Sequence, residues 1–323
     1  MTQSVAPKIA LTGATGYTGQ AFLQAISELP DPWPVTALVR RIPEKRYRFV
    51  RYITGSLPGD LPDSFPPSGT NVIVHLGHEN RSRDARRLRD VNEEGTAALL
   101  AAASPSVRGV ILGSSLSVLG HGVQDKVDES TPARPGTLLA RSRLATEQIV
   151  QKAMQEHDAT ALLLRPRFIM GPDDAEFLPG IRRLRALPLR VSPEETLLSV
   201  IDVGDYARIM AALVGRVLVR DVEGNPVRTP LHISYRRPAS LQTLFRLLQP
   251  VPPESPRRLL PASLAVALCA AFPGSRFERI REQLELVTRS HWTAVGALEA
   301  EIGSAITSRA PEEVLRSYPA ISP

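Results

Sequence analysis

The stretch TGATGYTG (residues 12–19) sets glycines at 13, 16 and 19, with Thr15 and Tyr17 between them. The apolar run KIAL (8–11) precedes it. QAFLQAISEL (20–29) follows, with Phe22, Leu23, Ile26 and Leu29 at helical spacing. A strand, a glycine turn and a helix in that order constrain the chain to a parallel-sheet fold. Gly13 permits a sharp turn, Gly16 a close backbone approach to a pyrophosphate, and Gly19 close packing of helix on sheet. Amides at the helix N-terminus then face the phosphates, and the Tyr17 side chain is expected to point at them too. A purely structural turn is the alternative, and the strand–helix context favours nucleotide binding.

The same alternation continues. PVTALVRR (34–41), YRFVRYITG (47–55), NVIVHLG (71–77), VRGVILGSS (107–115) and TALLLRPRFIMG (160–171) read as strands. Residues 84–103 and 138–157 read as helices, and 58–69 as a proline-rich loop. The pattern predicts an α/β fold with a Rossmann-type doubly wound parallel sheet over residues 1–171. A smaller, mostly helical substrate lobe is expected over 172–323, returning elements such as 197–218 and 230–234 to the main sheet.

Composition narrows the class. Apolar residues make up 43% and charged residues 22% of the 323, as in soluble globular proteins. Cys269 is the single cysteine, which excludes an internal disulfide and fits a cytoplasmic protein. It reads as a small apolar residue. All but four of the 39 basic residues are arginines, and the net charge is +6. The clusters at 81–89 and 182–190 lack interleaved aromatics, so no nucleic-acid partner is expected. A solvated helix face or a site for an anionic substrate or phosphate remain the readings there. The longest apolar run, 259–274, is too short to span a bilayer, so no membrane partner is expected. It suits a helix buried in the protein or at a substrate entrance. No leader is expected, and no histidine–carboxylate spacing suits a metal.

The second strand ends in Arg40 and Arg41, where a carboxylate would bind the ribose hydroxyls of NAD. Arginine pairs bidentately with a 2′-phosphate, which favours NADPH. Two solvated loop arginines are the alternative.

With these residues in place the chain resembles the extended short-chain dehydrogenase/reductase family, of the NAD-dependent epimerase/dehydratase kind. The resemblance rests on TGATGYTG, VIVHLG (72–77), VNEEGT (91–96), VILGSSLSVLG (110–120), RSRLATEQ (141–148), LLRPRFIMGP (163–172) and SVIDVGDYARIM (199–210) in that order. It implies that Leu76 and Gly77 line the ribose side and that Asn92 holds the structure around the site. It implies Ser114 beneath the nicotinamide, Ser115 as the catalytic serine, and the backbone from Pro166 to Phe168 against the carboxamide. Asp202 and Asp205 become structural bridges between lobes. Ser56 and Leu57 fall at the adenine, with Ser56 in place of the usual aspartate.

The departures concern chemistry. The family's Tyr-x-x-x-Lys falls on Leu139 and Arg143, and Leu119 replaces a common tyrosine. Leucine gives no proton, whereas Arg143 keeps a cation for the nicotinamide ribose. His78, Glu79 and His121 are possible proton relays, while Tyr206 and Tyr235 are expected to lie far off. A substrate with an internally hydrogen-bonded carbonyl could stabilise its own alkoxide. Tyrosine-lacking members of the superfamily are associated with ketone reduction in aromatic natural-product and antibiotic pathways. The resemblance therefore implies an NADPH-dependent ketoreductase acting on an aromatic or polycyclic ketone, with Ser115, Arg143 and His78 catalytic. A silent NADP(H)-binding sensor is the alternative, and loss of the tyrosine counts against a sugar-nucleotide epimerase. Phe177, Arg182, Leu259 and Phe272 suit an apolar ligand with an anionic edge. A monomer, or a homodimer through helices 84–103 and 138–157, is expected.

Overall fold

The computed structural model describes residues 7–120, 122–186, 189–190, 196–223, 230–248, 260–271 and 275–318. His121, Leu259 and Phe272 lie outside the described residues. The first half forms β1 (Ile9–Thr12), α1 (Tyr17–Ser27), β2 (Val35–Val39), β3 (Val50–Thr54), β4 (Val72–His75), α2 (Ala85–Leu88), α3 (Gly95–Ala101), β5 (Gly109–Gly113), β6 (Gln124–Val127), α4 (Leu138–Glu156), β7 (Thr160–Pro166) and β8 (Phe168–Met170). Then come α5 (Phe177–Ala186), β9 (Leu189–Arg190), β10 (Leu197–Leu198), β11 (Val200–Asp202), α6 (Val203–Glu223), β12 (Leu231–Ile233), β13 (Ala239–Ser240) and α7 (Leu241–Leu247). The chain continues through β14 (Leu260–Pro261), α8 (Ala262–Ala271), α9 (Ser275–Thr288), β15 (His291–Thr293), α10 (Gly296–Ile302) and α11 (Pro311–Arg316).

Seven strands build one sheet in the order β3-β2-β1-β4-β5-β7-β12. Every neighbouring pair is parallel. Strand alternation sends Ile9, Leu11, Val72, Val74, Ile111, Leu162 and Leu164 to one face, with Phe22 and Ile26 of α1 and Ile209 and Leu213 of α6. Ala10, Ile73, Val110, Leu112 and Leu163 take the other face, with Leu99, Leu100, Val150 and Met154. Both faces are buried, so each strand is apolar throughout. Each fully buried Val, Leu or Ile side chain contributes roughly 1.5–3 kcal/mol. The strand order reverses between β1 and β4, which opens a crevice at their C-terminal ends.

Three elements differ from the sequence expectation. Residues 84–103 are not one regular helix: a π-helical segment, Arg89–Glu94, separates α2 from α3. The Thr96 hydroxyl donates to the Asn92 carbonyl there, and the extra residue turns Asn92 inward. Residues 160–171 are two strands. β7 pairs with β5 and β12 as far as Pro166, and β8 pairs with β11 from Phe168, so Arg167 marks the crossover. The later lobe is mostly helical, as expected, but it also carries a four-stranded sheet that the sequence did not announce, β13-β10-β15-β6. Its strands run two to four residues, too short for a periodic signal. β6 reaches this sheet from the first half, while α6 and β12 return to the main sheet. In α8, Leu264 and Leu268 are exposed, so of the two expectations for this run burial within the protein does not hold at these positions. Among the described residues no helix is long and apolar enough to cross a membrane.

Candidate functional site

The crevice starts at the glycine loop. Gly13 has φ +75°, and a Cβ on it would lie 2.6 Å from the Leu76 carbonyl carbon and 2.7 Å from the Gly77 nitrogen. The β1 turn therefore rests directly on the Leu76–Gly77 backbone. A Cβ on Gly19 would overlap the Gly13 carbonyl oxygen. Gly16 caps α1 without a side-chain hydrogen bond, leaving the first helical amides open to an anion. These residues fit a dinucleotide pyrophosphate, because side chains would fill the cradle they form. Beside it, Thr15, Arg40, Arg41, Ile42, Pro43 and Glu44 line a cleft of about 660 Å³. Arg40 and Arg41 are exposed, and neither is ion-paired among the described residues. At the same end Ser56 exchanges backbone hydrogen bonds with Asp60 at 2.9 and 3.2 Å. Leu57 packs against the core below.

Tyr17 departs from expectation. Its hydroxyl lies against Gly171 with no hydrogen-bond partner among the described residues. Burial, with Asp174, Asp202 and Asp173 nearby, pushes its pKa up. Only the Tyr17 backbone remains for the phosphates.

At the end of β4 a buried chain of hydrogen bonds fixes the next wall. The Gly77 amide donates to Thr12 Oγ1 at 3.0 Å, and Thr12 Oγ1 lies 2.6 Å from His75 Nδ1. His75 Nε2 lies 2.8 Å from Thr96 Oγ1. The Thr96 proton goes to the Asn92 carbonyl, so His75 carries its proton on Nε2 and accepts from Thr12 at Nδ1. Burial pulls the His75 pKa down to about 4. The reading from sequence missed His75, whose position inside a buried strand gave no sign of a polar role.

The His78 ring lies against His75 with centroids 4.5 Å apart and planes tilted by 45°. Burial, His75 and Arg143 hold its pKa well below the usual histidine range, so it stands at the site as a neutral imidazole. Glu79 is not available as an acid. It accepts from the Arg81 and Ser82 amides and pairs with Arg87 at 3.1 Å, which keeps its pKa low. Asn92 grips the same loop: Oδ1 accepts from the Glu79 amide at 2.7 Å, and Nδ2 donates to the Glu79 carbonyl and to Ser142.

The two serines after β5 diverge. Ser114 Oγ donates to Glu147 at 2.5 Å, and Glu147 is held by Arg165 at 2.8 and 2.6 Å. The Ser114 hydroxyl therefore belongs to a buried ion pair and not to the cofactor face, which corrects the expectation for it. Strand alternation turns Ser115 the other way. Ser115 Oγ accepts from the Ser117 amide at 3.1 Å, and its own proton has no acceptor among the described residues. Arg143 follows Leu139 by one turn on the same face of α4. It donates to Asn80 at 3.1 Å and Ser117 at 3.4 Å. Burial lowers its pKa against the opposing pull of Glu176, Tyr206 and Glu147. Tyr206 is not remote: it is buried, acts on Arg143, and its hydroxyl lies 3.8 Å from where a Gly113 Cβ would stand. Tyr235 is elsewhere, donating to Asp205, while Tyr318 donates to Asp202. The two aspartates thus tie α6 to the C-terminal segments.

Pro166 closes β7, and the Phe168 ring is buried on Phe177 with centroids 4.4 Å apart, leaving only backbone to face the crevice. Arg182 is exposed. Among the described residues no cluster of histidine, cysteine and carboxylates could hold a metal ion.

Sheet order and crevice together define a Rossmann-type nucleotide-binding protein. The chain belongs to the NAD dependent epimerase/dehydratase family, whose profile matches residues 9–222. It is 29% identical over 225 residues to a ceramide reductase of Caulobacter vibrioides, covering 68% of this chain and 65% of that protein. It is 32% identical over 182 residues to a 4-hydroxy-2-methyl-3-oxo-4-farnesyl-3,4-dihydroquinoline-1-oxide ketoreductase of Stigmatella aurantiaca, covering 53% of each. The chain thus spans just under two thirds of the first relative and about half of the second. A UDP-glucuronic acid 4-epimerase from Bacillus cereus, solved with NAD, superposes with a TM-score of 0.70. It covers 96% of this chain and 97% of that one at 15% identity, a likeness of fold.

Proposed function

We propose that this protein is an NADP(H)-dependent ketoreductase acting on a ketone of an aromatic or polycyclic substrate, of the kind made in natural-product and antibiotic biosynthesis. The observation that supports the reading is the glycine-loop crevice, with two exposed arginines at its rim, beside an altered acid position. Unpaired Arg40 and Arg41 would hold the 2′-phosphate, and the N-terminal amides of α1 the pyrophosphate. When bound, the nicotinamide supplies a hydride to the carbonyl carbon. Ser115 has a proton free to donate to the carbonyl oxygen. Arg143 places a cation at the nicotinamide ribose, where the family keeps a lysine. Leu139 supplies no proton, so it comes from water, from a phenolic group of the substrate or through His78. Two relatives named as reductase and ketoreductase support the reading.

The test is nucleotide titration of wild type and Arg40→Met. A charge-assisted hydrogen bond is worth about 1.5–3 kcal/mol, so Arg40→Met should weaken NADPH binding roughly 10- to 150-fold. NADH binding should stay unchanged. Equal affinity of wild type for both nucleotides would refute the NADP(H) preference. Leu139 favours a second reading, a catalytically silent NADP(H)-binding sensor. It predicts tight NADPH binding with no carbonyl-dependent oxidation.

A further inference from the structure

Arg167 has no part in the hydride chemistry, and two of its three guanidinium nitrogens have no hydrogen-bond partner among the described residues. Gly113 of β5 is in register with Leu164 of β7, so Ser115 and Arg167 leave the same end of adjacent strands. Arg167 Nη2 lies 3.1 Å from His291 Nδ1, and the guanidinium sits 5.9 Å from the Phe168 ring centre. Nε and Nη1 are shielded from solvent and have no acceptor among the described residues. The charged group acting on Arg167 is Arg143, of like sign, which adds to burial in pulling its pKa down to about 9. The carboxylates that act on neighbouring Arg143 are committed elsewhere. Glu147 holds Arg165, and exposed Glu176 faces Arg81 at 3.6 Å. Arg167 is half-buried, and guanidinium nitrogens shut from solvent without a counter-ion carry a desolvation cost that an anionic ligand would offset. An alkoxide would exist only transiently, whereas this charge has no counter-ion among the described residues of the resting protein. A permanent anion on the ligand matches it better.

We infer that Arg167, with Arg143 beside it, forms a subsite for an oxyanion group of the substrate, carboxylate or phosphate, next to the carbonyl position at Ser115. Placing a carbonyl there rests on the ketoreductase reading. The anion site itself does not.

The test is calorimetric titration of the NADPH-loaded protein with 2-acetylbenzoate, its neutral methyl ester, 2-acetylphenyl phosphate and inorganic phosphate. One of the two anionic ketones should bind at least about tenfold tighter than the ester. That preference should vanish in Arg167→Gln and partly persist in Arg167→Lys. Whichever anionic ketone is preferred identifies the group. A preference that is absent in wild type, or unchanged in Arg167→Gln, overturns the inference. So does inorganic phosphate binding as tightly as either ketone, or an anion preference that appears only without NADPH, which would give Arg167 to the cofactor. Thermal unfolding of ligand-free Arg167→Met checks the same point without a probe. Its melting temperature should rise above wild type, and a fall would reveal a structural partner and contradict the proposal. Binding preference with no NADPH oxidation on any ketone would sink the reductase reading and leave the anion site standing.

Discussion

Changing Glu147 to Gln keeps the shape of the side chain and removes its charge. Arg165 would then stay buried opposite a neutral amide, with the Ser114 hydroxyl facing the same group. The pair is almost fully enclosed, with side-chain exposures of 8% and 1%, so solvent cannot replace the lost carboxylate. Breaking such a pair from one side costs about 3–5 kcal/mol. Arg165→Met should cost a similar amount at neutral pH. The double variant Glu147→Leu/Arg165→Met removes both charges. Replacing a buried pair by apolar residues is often neutral, and one unpaired Ser114 hydroxyl costs about 1–3 kcal/mol. The double change should therefore lose less than either single one. Urea unfolding of wild type, Glu147→Leu, Arg165→Met and the double variant gives the cycle, with Glu147→Gln measured beside it. Additive losses, or single losses below about 1 kcal/mol, would refute the claim that this pair is an isolated buried ion pair.

Three further outcomes follow from the same geometry. His75 and His232 are held near pKa 4 by burial, against 6.5 unfolded, so the unfolded chain binds more protons between those values. Stability should be full above about pH 6.5 and fall by roughly 3 kcal/mol per histidine down to pH 4, and His75→Gln should flatten the urea-midpoint profile there. Asn92→Ala removes both bonds to the Glu79 backbone, which should cost about 1–3 kcal/mol and speed proteolysis within residues 77–84. Leu139→Tyr sets a phenol one turn before Arg143, and a positioned acid contributes roughly 100- to 10,000-fold. Ketone reduction should accelerate in that variant, and an unchanged rate would place the reacting carbonyl away from α4.

The main sheet was legible because strands buried on both faces are apolar end to end, as VILG and ALLL are. The glycine loop was legible because three positions without a Cβ answer to three separate close approaches. Short strands are another matter: β6, β10 and β15 are specified by partners far along the chain, and their few residues carry no period. The π-helical segment, Arg89–Glu94, has the same residue spacing in sequence as an ordinary helical turn, so periodicity does not reveal it. The site divided along the same line. Ser115 and Arg143 stand together where motif order put them, joined through Ser117. Ser114 was read by its place beside Ser115, but a one-residue step in extended chain turns the side chain to the opposite face. Tyr17 was read as a loop residue facing phosphates, yet its ring packs on Gly171, a contact across more than 150 residues. Arg167 was hidden in a run that looked like one strand, because the change of pairing partner happens at that residue.

The central claim is that a crevice without the tyrosine still reduces ketones with NADPH. Absorbance at 340 nm, followed with NADPH and a panel of aromatic and lipophilic ketones, tests it most directly in wild type and Ser115→Ala. The account predicts ketone-dependent NADPH oxidation that Ser115→Ala lowers without changing NADPH affinity. Tight NADPH binding with no oxidation across the panel would contradict it and point to the silent binder.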